Sequence, residues 1–185
     1  MNTELDGTTS HTRRSSLASI VEPPITCASV PFDDLRDDII LRTSDNVDFQ
    51  VFRIILDLAS PVFKDMLSIP QPPLQDEGIG GTPVVTISES SAALDIVLRF
   101  CYPIVQPQFD CDNMSIIAGA LHAATKYDIH AAIIPTRAAL RACAETSNKN
   151  ALAAYAIACS LKLEEEARAA AIGISQMASS QCVCT

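Results

Sequence analysis

The sequence has little for a polyanion to hold. Lys and Arg number 13 against 22 Asp and Glu in 185 residues, for a formal net charge of -9. No basic stripe gathers the cations, which argues against direct DNA or RNA binding, because phosphate neutralisation is its main driving term. A run of roughly 18 uncharged apolar residues is missing, so no membrane span is expected. The basic-then-apolar opening of a secretory leader is also missing. Only three histidines occur, His11, His122 and His130. The seven cysteines, at 27, 101, 111, 143, 159, 182 and 184, form no C-x-x-C pair. Such a scattered, odd set reads as reduced thiols in cytoplasm or nucleus, packed as small apolar residues. G-x-S-x-G, the P-loop and G-x-G-x-x-G are all absent, so the usual hydrolase, nucleotide and dinucleotide signatures point nowhere.

What is present is an apolar fraction of 48%, enough for one compact domain with a small extension. The acid is uneven. Residues 32–109 hold 12 Asp or Glu against 5 Lys or Arg, while residues 110–185 hold 7 against 6. Residues 1–31 are rich in Ser, Thr and Pro without periodicity and read as a flexible tail. Within it RRSSL, Arg13 to Leu17, makes Ser16 a candidate phosphosite for a basophilic kinase, where a phosphate would act by charge.

From Phe32 the pattern changes. DIILRT (38–43) and the alternating VDFQVF (47–52) flank the turn signal SDN and predict a hairpin. In the second run Val47, Phe49 and Val51 share one face. RIILDLA (53–59) predicts a short, mostly buried helix. Ser60 can cap the next helix, PVFKDMLS, with Pro61 at its first position. A Pro/Gly loop (69–83), a third strand VVTIS (84–88) and an amphipathic helix (90–102) follow. Everything after Met114 reads as helix: to about 127, 130–145, 151–161 and 163–177, with NKN (148–150) as a break and the end frayed. Strands early and helices late predict an α+β fold, a three-stranded sheet needing helices on it.

Chemistry in these elements is sparse. His122, His130 and Cys143 could supply metal ligands only if the fold converged them, and surface or packing roles suit them better. Cys101 falls on the inward face of a helix, which raises a thiol pKa and argues against a nucleophile. A cysteine-dependent enzyme using Cys101 or Cys143 lacks a paired base. GIGGT (78–82) has no Lys and reads as a connector. CVCT (182–185) lacks the aliphatic spacing and polybasic support of a prenylation site. No catalytic residue, cofactor or metal is expected.

The stretch DIILRTSDNVDFQVFRIILDLASPVFKDML resembles the signature of the BTB/POZ family. The match rests on Asp38, Phe49, Val51, Arg53, Leu56, Ser60, Phe63 and Met66, and runs on through VVTIS and LDIVLRFCYP. SPVFKDMLSIPQPP, AATKYD and YAIACSLKLEEEA look like the BTB proteins expanded in mushroom-forming fungi. The resemblance covers residues 32–130 as the domain, with a helical extension over 131–178 and a frayed end over 179–185. It implies a non-catalytic protein-interaction domain that forms a homodimer through residues 38–67, with Phe49, Val51, Leu56, Ser60, Phe63 and Met66 in the core. It also implies that Asp38 and Arg53 are a charged pair lining the dimer groove, the alternative being a cap and a solvated helix start. Phe52 stands where the family has His, and Tyr102-Pro103-Ile104 where it has Y-T-G. No hydrophobic-x-Glu element of the cullin-gripping kind is evident. The partner is thus a protein, and the competing roles are a cullin-type ubiquitin-ligase adaptor and a scaffold or transcriptional co-regulator.

Overall fold

The computed structural model describes residues 24–34, 38–69 and 81–181, with side chains through 175. The hairpin forms as β2 (Ile39–Arg42) and β3 (Val47–Val51), antiparallel from Ile39 opposite Val51 to Arg42 opposite Asp48. Asn46 closes the turn at φ 59°, a left-handed conformation that Asn tolerates better than most residues. β4 (Val84–Thr86) lies parallel to β2. A fourth strand, β1 (Thr26–Cys27), lies parallel to β3, so the sheet runs β1-β3-β2-β4 rather than having three strands. β1 falls in the stretch expected to be tail. Two residues are too short to show a period, and only pairing with β3 makes them a strand.

β3 is buried on both faces from Asp48 to Val51, not on the Phe49 face alone. Burying Asp48 is tolerable because Arg42 grips it with two bonds, Nε–Oδ1 2.7 Å and Nη2–Oδ2 2.9 Å.

The helices are α1 (Arg53–Ala59), α2 (Pro61–Ser68), α3 (Ser91–Cys101), α4 (Met114–Lys126), α5 (His130–Ala144), α6 (Asn148–Ser160) and α7 (Glu164–Gln181). The fold is α+β, as expected. Ser60 caps α2, its hydroxyl accepting from the Phe63 N–H at 2.9 Å, with Pro61 next. NKN opens α6 instead of breaking a helix. Ser147 accepts from the Asn150 N–H at 3.2 Å, so the turn that reads as a breaker is a capped first turn.

One core gathers the sheet, α1 to α4 and the start of α5, and a second gathers Ile117, Leu121, Leu140, Ala154 and Ala170 from α4 to α7. α4 and α5 serve both.

The reduced-thiol expectation is corrected at two positions. Cys111 and Cys143 form a disulfide with Cα atoms 5.1 Å apart, well inside bridging distance. Their 32-residue separation leaves no local signature, and only packing of the loop before α4 onto α5 brings them together. A loop of that length is worth about 3–4 kcal/mol in chain entropy. Reductant is therefore expected to lower the unfolding free energy by about that much and to add two titratable thiols. Urea melts with and without reductant, beside a thiol count, check it.

Candidate interaction surface

α1 starts where the chain leaves β3, and its first donors are met by side chains from elsewhere. The Phe52 N–H donates to the Tyr102 hydroxyl at 2.9 Å, and the Arg53 N–H donates to Asp38 Oδ1 at 2.6 Å. These contacts satisfy backbone groups that a helix leaves open at its N-terminus. Asp38 and Arg53 thus meet through the backbone. The Arg53 guanidinium turns to Asp57, Nε to Oδ2 3.7 Å, one turn along α1. Phe52 is 37% exposed and so lies outside the core.

α1 is not the mostly buried helix that its composition suggests. Leu56 alone is buried, while Ile54 is 61% and Leu58 82% exposed. Four residues apart, these two share one side of the helix. Val62 at the start of α2 and Ile69 at its end are exposed as well. Large apolar side chains presented together mark an interaction surface more often than chance. The matched motif residues do the opposite. Phe49, Val51, Leu56, Ser60 and Phe63 are buried, and Met66 is half-buried against the core.

The α1–α2 pair is bolted down from behind. The Ser60 hydroxyl donates to the Tyr127 carbonyl, and the Phe63 ring stacks on Tyr127 with centroids 4.3 Å apart. The Tyr127 hydroxyl donates to Glu89 Oε2 at 2.6 Å, and Lys126 Nζ reaches Glu89 Oε1 at 2.8 Å. Burial pushes the Glu89 carboxyl up, but hydrogen bonds from Lys126, Tyr127 and Ser88 and the Lys126 charge outweigh it and hold the pKa down. Burial, with the Glu89 carboxylate, drives the Tyr127 phenol well up. These contacts span 37 and 38 residues and had no sequence signal.

The candidate nucleophiles are poorly placed for attack. Burial pushes the Cys101 thiol up to about 11, as its inward position suggested. Cys143 is 1% exposed and held in the disulfide. His130 sits exposed at the start of α5, 3.3 Å from Asp128, and His122 lies exposed on α4. Among the described residues no cluster of three or more His, Cys, Asp or Glu could hold a metal. No described helix is long and apolar enough to cross a membrane. Ser16, CVCT and most of GIGGT lie outside the described residues.

Residues 32–143, more than half of the chain, match the family model described as BTB/POZ domain. No curated protein matches the sequence.

Proposed function

The chain belongs to the BTB/POZ domain family, whose members are protein-interaction domains, and from that premise we propose that it is a non-catalytic module that self-associates and recruits a further protein. The exposed Ile54 and Leu58 on α1 carry this reading. Burying a Leu or Ile side chain yields roughly 1.5–3 kcal/mol. In a twofold contact every residue acts twice, so the pair can supply much of a dimer's affinity. The charged groups beside them, Asp38, Arg53 and Asp57, would then sit at the rim and fix orientation. The sequence wording favours a fungal lineage.

Light-scattering mass of the full chain tests this. The expected result is twice the 19.8 kDa chain mass. Leu58→Asp places two carboxylates in the contact and is expected to weaken the dimer by roughly 100-fold or more, while the separated chain still melts cooperatively, since Leu58 is exposed in one copy. A wild-type chain that stays monomeric at tens of micromolar defeats the reading. Adding a cullin N-terminal domain separates the two roles. Gain of its mass supports a ubiquitin-ligase adaptor, and indifference supports a scaffold or co-regulator.

A further inference from the structure

A groove of about 530 Å³ opens between β1, α3, α4 and the loop before α4, within the size range of ligand sites. It shares no residue with the α1 surface. Its apolar wall includes Val47, Phe49, Ile96, Phe109 and Ile116, and its rim carries Asp95 and Asp110. Arg99 holds the Asp95 carboxylate with bonds of 2.6 and 3.0 Å. Asp110 accepts from the Asp112 N–H at 2.9 Å and from Asn113 Nδ2 at 2.5 Å, but meets no cation among the described residues. The groove is therefore apolar along its wall, with one carboxylate at its rim, Asp110, that no described cation holds.

We infer that residues 13–21 of this same chain occupy the groove, and that phosphorylation of Ser16 releases them. The segment, RRSSLASIV, has the matching chemistry: Arg13 and Arg14 for the rim carboxylate, and Leu17, Ile20 and Val21 for the apolar wall. Connectivity favours it. β1 lines the groove, and Thr26 enters it beside Val47. Twelve residues of extended chain reach at most about 40 Å, so Arg14 can lie anywhere along the groove. A tether this short holds its ligand at an effective concentration in the millimolar range, enough for a weak contact to stay closed. Residues 32–109 are strongly acidic, which further favours a basic occupant. A basophilic kinase would move the γ-phosphoryl group of ATP to Ser16 Oγ, releasing ADP and the hydroxyl proton. The phosphate then cancels the two arginines and is repelled by Asp110.

Amide hydrogen exchange on the full chain is the test, read by mass spectrometry over residues 13–23. The expected result is at least tenfold protection that does not vary with protein concentration. Arg14→Glu and Asp110→Lys should each abolish it, and the two together should restore it. Restoration by the double charge swap separates a lost contact from a lost fold. The chain phosphorylated at Ser16 should exchange at the unprotected rate. A wild-type segment exchanging at that rate overturns the inference. Protection that grows with concentration also overturns it, because the occupant is then a second copy's segment. Protection that survives phosphorylation removes the switch.

Discussion

Phe63→Asp is expected to abolish folding. Phe63 is wholly buried, and its ring lies against Tyr127 with 14° between the planes. Its neighbour Ser60 ties α2 to the end of α4 at the same point. A carboxylate placed there loses the stacking and the apolar contacts. Truncation of a buried Phe alone costs about 3–5 kcal/mol, and an unpaired buried charge adds several more. Together these are comparable with the roughly 5–15 kcal/mol that holds a typical domain folded. Far-UV circular dichroism against temperature reads the result. A soluble variant with a cooperative melt near the wild-type midpoint would remove Phe63 from the core. Phe63→Leu, which keeps most of the volume, should remain folded.

Arg137→Ala is expected to destabilise the helical half by about 3 kcal/mol, because it strands a buried carboxylate. Glu166 of α7 is 2% exposed and receives Arg137 Nε and Nη2 of α5, both at 2.8 Å. Arg141 stands farther off at 3.6 Å and compensates only in part. The bonds from Arg137 pull the Glu166 pKa below its ordinary 4.5, against the opposing pull of burial. The sign follows from that lowering. The ionised pair stabilises the fold above pH 4.5 and loses this contribution as pH falls through the lowered folded value. Urea unfolding at pH 7 and at pH values below 4.5 should show wild-type stability dropping more steeply than that of Arg137→Ala. Parallel pH curves for the two proteins would show that the pair contributes nothing.

Both sites show which features were readable from sequence. Phe63 falls at helical spacing after a Ser-Pro cap, so its inward placement follows from local periodicity. Arg137 and Glu166 are 29 residues apart, and nothing in either stretch names the other. α1 failed differently. Its composition is that of a buried helix, yet Ile54 and Leu58 are exposed, because only Leu56 is turned into the core. The candidate pair Asp38 and Arg53 was readable as two residues of a matched pattern. Their actual contact, a carboxylate on a helix-start N–H, depends on where the chain before β2 passes the end of β3.

The sequence by itself determined the hairpin, the Ser60-Pro61 start of α2, and the placing of strands early and most helices late. Each rests on propensity, capping or periodicity within a few residues. Only the tertiary structure decided that Thr26 and Cys27 join the sheet, that Cys111 meets Cys143, that Glu89 is held by Lys126 and Tyr127, and that α1 turns Ile54 and Leu58 to solvent. Those features are contacts between segments distant in the chain, or the lack of a covering segment among the described residues, and the energy of such contacts is set by the fold as a whole.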